Sequence, residues 1–164
     1  TKFWWFLFTW TIGGLWVFIT MAAGLAAMTS AKVVPLGWFA LIGIVLWLEG
    51  FLVEVVADHQ KTRFRSKKEN QGRFINEGLW SFSRHPNYYG EILFWWGLFL
   101  MGFESAGMTY LFAAPITMTV LFLGASIPWI EIKILRTRPE YKMYQKRVHI
   151  LFPEIAILRR LFGK

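Results

Sequence analysis

Three long stretches of this chain carry no charged side chain. They run from Phe3 to Ala31, from Ile92 to Phe103 and from Ser105 to Ile130. About 20 consecutive apolar residues, wound as a helix, cross the roughly 30 Å of a bilayer's hydrocarbon. Charged residues make up 17% of the 164 residues, against about 25% in a soluble domain. The shortfall is concentrated in these runs, so the sequence predicts an all-α, polytopic membrane helical bundle. The first run is too long for the apolar core of a secretory signal, and no small-residue cleavage site follows it.

Four helices are expected. The first spans Phe3 to Thr29. A short turn, Ser30 to Pro35, leads to the second, Leu36 to Ala57, with Pro35 near its first turn, where the missing N–H costs little. A polar loop from Asp58 to Arg84 follows. The third helix runs from Pro86 or Asn87 to Phe103, and the fourth from Met108 to Ile130, with kinks at Pro115 and Pro128. The tail, Glu131 to Lys164, places Tyr141, Tyr144, Val148 and Leu151 at helical spacing and reads as an amphipathic C-terminal helix. With no repeat or linker, residues 1–164 read as a single membrane domain. The chain opens with Thr, so it is expected to be part of a longer gene product.

With four spans, the N-terminus, the 58–84 loop and the tail share one side. That side holds all of the 18 Lys and Arg residues except Lys32, which makes it the cytosolic face of an integral membrane protein. Topology and contact with lipid headgroups account for the net charge of +8. No nucleic-acid partner is expected, because the basic residues flank the spans and no recognition motif accompanies them. Cysteine is absent, which excludes disulfides and thiolate chemistry. His59, His85 and His149 have no metal-ligand spacing, so no metal is expected.

Carboxylates in apolar helices are expensive and face a partner, a polar interior or a ligand. Glu49 fits plain interhelical pairing as well as anything else. Glu54 and Asp58 are four apart and share a helix face, as do Asn87 and Glu91. Between them lies a loop with Lys61, Arg63, Arg65, Lys67, Lys68, Arg73 and Arg84. Arginine forks suit phosphates, and the start of the third helix adds its dipole. Cations beside hydrogen-bond acceptors fit a dinucleotide, although no GxGxxG or P-loop motif occurs.

The run Gly78-Leu79-Trp80-Ser81-Phe82-Ser83-Arg84-His85-Pro86-Asn87-Tyr88-Tyr89-Gly90-Glu91, followed by Trp95-Trp96-Gly97, resembles the signature of the steroid 5-alpha-reductase-like membrane family. Glu54…Asp58-His59-Gln60 and Phe64-Arg65 upstream resemble its loop-entry motif. Ser126, Pro128, Glu131, Pro139-Glu140-Tyr141, Tyr144-Gln145 and Phe152-Pro153 resemble its C-terminal segment. About residues 36–153 are covered. The resemblance implies a helical membrane fold holding NADPH, with Glu54, Asp58, Arg65, Arg84, Asn87, Tyr88, Glu91 and Tyr144 lining the pocket and His85 close by. It implies hydride transfer to an enone-type double bond of a lipophilic substrate such as a steroid. Family members carry further helices upstream, with the substrate-polarising residues on them. Here no Tyr precedes Tyr88 and no acid precedes Glu49, so no catalytic residue is assigned. Either the chain is truncated, another chain supplies the group, or catalysis is lost.

Two alternatives stay open. Isoprenylcysteine carboxyl methyltransferases, which use S-adenosylmethionine, share an Arg-His-Pro-x-Tyr-x-Gly core and a basic tail; Asn87 and Glu91 match the reductase version of the motif. A short member of the family also fits a non-catalytic accessory subunit, packed against other membrane subunits.

Overall fold

A computed structural model of the protein describes residues 2–31, 34–106 and 112–151. Among the described residues six α-helices are formed: α1 (Lys2–Met28), α2 (Trp38–Ser66), α3 (Pro86–Ala106), α4 (Ala113–Leu121), α5 (Ile127–Thr137) and α6 (Tyr141–Arg147). Short 3₁₀ turns lie at Lys68–Asn70 and Gly78–Ser81, and a π turn at Phe122–Ser126 joins α4 to α5. Among the described residues there is no strand, only one isolated bridge between Ser83 and His149. The expected helix start at Met108, the cation Lys32 and the tail from Phe152 onward lie outside the described residues.

Among the described residues two helical stretches, Trp38–Ser66 and Ala113–Thr137, are long and apolar enough to cross a membrane. Only 17% and 28% of their apolar windows are buried inside the protein. A core helix of a soluble protein would bury most of that surface; here it faces outward. Large side chains of α1, among them Trp4, Trp5 and Trp10, are exposed as well.

The chain groups into two compact units, residues 1–47 with 95–119 and residues 48–94 with 120–164. In the first, α2 and α3 touch through glycines. A Cβ at Gly43 would lie 2.7 Å from the Gly97 carbonyl, and one at Gly97 would lie 2.5 Å from the Trp47 amide. Phe39 packs on Phe103 and Phe99 on Phe112, while Trp96 Nε1 donates to Thr119 Oγ1 at 3.3 Å. The Glu104 carboxylate accepts from the Gly37 N–H at 3.2 Å.

In the second unit the same device recurs, with Gly50 and Gly90 backbone to backbone. Its apolar core is Ala57, Phe64, Ile75 and Trp80, with Leu79 packed against them. This core explains why α2 runs to Ser66 instead of ending at Ala57. Asp58 to Ser66 is charged but holds no helix breaker, and Ala57 and Phe64, two turns apart, both face the core. Helix α2 also anchors the next segment. Ala57 accepts from Trp80 Nε1 at 3.1 Å, and Gln60 Oε1 accepts from the Leu79 N–H at 2.9 Å. Gly78, at φ +60°, lets the chain turn into that contact.

Two further expectations are corrected. Pro115 lies in the first turn of α4, where its missing N–H leaves no helical bond broken. Pro128 cannot donate to the Gly124 carbonyl, and the π turn lies immediately before it. In the tail, the helix stops at Arg147 instead of continuing through Val148 and Leu151. Val148 is extended, because the backbone beyond it is taken up by the 83–85 segment. Arg84 N donates to His149 O at 2.9 Å, and His85 N donates to Ile150 O at 3.1 Å.

Candidate functional site

Ser83 to Asn87 is fixed from both sides before it enters α3. The tail pairs with its backbone, and Ser83 Oγ donates to Ile150 O at 3.1 Å. Ser83, Arg84, His85 and Pro86 are all buried. The buried Arg84 and His85 side chains, like that of Ser83, need partners, and one residue supplies most of theirs.

That residue is Glu131, on α5 and only 8% exposed. Its Oε1 accepts from Tyr141 Oη at 3.2 Å and lies 3.1 Å from His85 Nε2. Its Oε2 accepts from Gln145 Nε2 at 2.8 Å. Arg84 Nε lies 2.9 Å from Oε1, yet its N–H has no acceptor in line. The contact is therefore an ion pair, not an aligned hydrogen bond. Arg84 Nη1 donates to Gln145 O at 2.8 Å. Tyr144 Oη donates to the Trp80 carbonyl. Burial holds the phenols of both Tyr141 and Tyr144 far above their ordinary range, so each stays a neutral donor.

Beside this network is a cavity of about 630 Å³, within the roughly 300–1,000 Å³ of cofactor and small-molecule sites. Its walls come from four parts of the same unit. Lys61, Phe64 and Arg65 lie at the end of α2, and Asn70 to Ile75 form the following loop. Ile130, Lys133, Ile134 and Thr137 form one face of α5, at helical spacing. Trp80, Arg84, His85, Asn87, Tyr88, Arg138, Tyr141 and Tyr144 complete the wall. The cations are Lys61, Arg65, Arg73, Arg84, Lys133 and Arg138; among the described lining residues there is no carboxylate. Flat aromatic surface is abundant: His85 and Tyr88 stack at 5.7 Å, Tyr88 and Phe122 at 4.4 Å.

Of the residues singled out from sequence, Arg65, Arg84, His85, Asn87, Tyr88 and Tyr144 meet at this cavity. Glu54, Asp58 and Glu91 do not line it. Glu54 lies within Coulombic range of Glu91 and Asp58, and so does Tyr88. The Gly50–Gly90 contact brings them together, since a Cβ on Gly90 would sit 2.7 Å from the Glu54 amide. Arg73 belongs to the basic loop that suits phosphates, and Glu131 and Gln145 to the segment that carries the resemblance, but neither these three nor Lys133 is assigned to the site by the sequence. Besides the resemblance, a signal for Glu131 is its position as the first charge after 26 uncharged residues, Ser105 to Ile130.

Comparison with known proteins follows the same stretch of chain. The model of a family described as "Protein of unknown function (DUF1295)" matches residues 1–148. Human 3-oxo-5-alpha-steroid 4-dehydrogenase 1 is 29% identical over 106 residues, 65% of this chain and 39% of that protein. Steroid 5-alpha-reductase DET2 of Arabidopsis thaliana is 32% identical over 75 residues, 44% of this chain and 28% of its own length. An uncharacterized protein of Schizosaccharomyces pombe is 26% identical over 149 residues, 79% of this chain and 43% of its own length. The chain thus spans less than half the length of these curated relatives. No solved structure matches it. On this coverage the chain belongs to the DUF1295 family, and it is similar in sequence to the steroid 5-alpha-reductases.

Proposed function

We propose that this protein is a membrane reductase that uses NADPH to reduce an enone-type double bond in a lipophilic substrate such as a steroid. The observation that carries this reading is the cavity wall: six cations, several aromatic faces and, among the described residues, no carboxylate. That donor set fits NADPH, which brings several phosphate charges and flat rings. The names of the relatives, which are steroid reductases and dehydrogenases, support the substrate class.

Arg65, Arg84, Asn87, Tyr88 and Tyr144, with His85, would hold the cofactor, while Glu54, Asp58 and Glu91 offer acceptors beside Tyr88. When bound, the reduced nicotinamide supplies the hydride. The chain's own residues bind and orient. Glu131 holds His85 and Arg84 in place at the wall. Trp80, Tyr88 and Phe74 present apolar faces that exclude water. The neutral phenols of Tyr141 and Tyr144 keep the network donating without adding charge.

Four helices crossing the bilayer, with the basic loop and tail cytosolic, complete the reading. The support is the outward-facing apolar surface of the helices and the one-sided distribution of Lys and Arg. A lipophilic substrate would then reach the site from the bilayer.

S-adenosylmethionine carries a sulfonium and an ammonium, which call for carboxylates, so this wall suits it poorly. Titration of the detergent-solubilised protein with NADPH and with S-adenosylmethionine separates the readings. NADPH binding that Asn87→Ala weakens about tenfold, together with NADPH-dependent reduction of a steroid enone, is expected. Binding of the methyl donor alone, or of neither, overturns the proposal.

A further inference from the structure

We propose that the outer face of α6, with Phe82 and Ile150, is a docking surface for anionic lipid, namely the cytosolic leaflet of the membrane that holds the chain. This inference rests on the membrane reading above and names the lipid chemistry that the tail recognises.

Helix α6 has two unlike faces. Tyr141 and Tyr144 are buried and line the cavity, and Gln145 reaches Glu131. Lys142, Met143, Lys146 and Arg147 are exposed on the opposite side. Lys142 and Lys146 are four apart, as are Met143 and Arg147, so the four side chains form two adjoining rows. Among the described residues none of these three cations enters an ion pair. Between Glu131, which is committed to Arg84 and His85, and Leu151 the chain carries six cations and a single acid, Glu140.

Exposed apolar side chains accompany this charge. Met143 is 53% exposed, Phe82 59% and Ile150 41%. At a headgroup boundary such side chains sink to the acyl edge, while lysine and arginine reach for phosphates. The local chain path puts the tail at that boundary. Helix α6 begins four residues after Thr137, where the apolar stretch Ala113–Thr137 ends. Beyond α6, Ser83 Oγ and the Arg84 and His85 amides donate to the His149 and Ile150 carbonyls, immediately before α3 starts at Pro86. Anionic lipids give a leaflet a negative surface potential, which draws basic segments beside a span. A leaflet engaged on the outer face touches the same helix that supplies Tyr141 and Tyr144 to the cavity.

The chain has no cysteine, so single labels report this surface directly. A bimane dye on Met143→Cys is read in nanodiscs of phosphatidylcholine, alone or with phosphatidylserine added, using a spin-labelled lipid as quencher. Blue-shifted emission and severalfold stronger lipid quenching are expected in the anionic discs. High salt and the K142Q/K146Q/R147Q background should each abolish the difference, and K142R/K146R/R147K should keep it. The lipid comparison on the unneutralised chain stands even where the triple variant fails to fold. The proposal is overturned if the dye reads the same in both lipids, or if the neutralised background keeps the difference. Full quenching by aqueous iodide in both discs also overturns it, since that face would then be open to a soluble partner. A dye on Val120→Cys, 64% exposed on α4, should be quenched by lipid whatever the headgroup charge. Its failure overturns the membrane reading itself, a result distinguishable from the others.

Discussion

Glu131 gathers Arg84, His85, Tyr141 and Gln145 around two oxygens. Removing one partner of a buried charged pair leaves the other charge unpaired, at a cost of about 3–5 kcal/mol. Glu131→Ala is therefore predicted to lower the unfolding free energy by about that amount. Glu131→Gln should cost less, since its amide oxygen still accepts from Tyr141 and His85. Denaturant titration in detergent checks both, and equal losses for the two variants would refute the charge argument. At this scale the sequence was informative where residue type and spacing agree. Arg84, His85, Asn87 and Tyr88 are consecutive or nearly so, and all reach one cavity. The partners of Glu131 were hidden because they lie 46 and 47 residues upstream and on the next helix, a distance no local pattern reports.

Helix positions were legible from the apolar runs, but helix ends were not. Charge alone suggested a loop from Asp58, whereas Ala57 and Phe64 keep α2 helical to Ser66 because both bury against Trp80 and Ile75. The tail shows the reverse. Its helical spacing through Leu151 yields to backbone pairing with the 83–85 segment. Glycines inside helices also carry two meanings that sequence does not separate. A Cβ on Gly90 would sit 2.6 Å from the Gly50 carbonyl, while one on Gly13 meets nothing within 4 Å. Gly→Ala in an open helix stabilises by about 1 kcal/mol, but overpacking costs about 1–3 kcal/mol. Gly90→Ala is thus predicted to destabilise and Gly13→Ala to be neutral or stabilising, as read from unfolding midpoints in detergent. A shift of the same sign at both sites would contradict the close approach of α2 and α3 at Gly90.

For the whole molecule, the absence of cysteine makes orientation directly measurable. Single cysteines at Asn76, in the basic loop, and at Ala31, after α1, are predicted to label from opposite sides of sealed vesicles. An impermeant maleimide should reach Asn76→Cys from the cytosolic side and Ala31→Cys only from the other; labelling of both from one side would refute the four-span arrangement. The expected orientation rests on charge asymmetry, because basic residues near span ends decide orientation. The separation of the cavity wall and the acidic group was not readable. Glu54, Asp58 and Glu91 carry the same helical spacing whether or not they face the cavity, and only three-dimensional packing sets them apart from it. The most direct test of the central claim is energy transfer from tryptophan to bound NADPH, with Trp80 on the cavity wall as the nearest donor. Saturable transfer that Trp80→Phe reduces and S-adenosylmethionine does not displace is the predicted result. No saturable transfer, or displacement by the methyl donor, would contradict it.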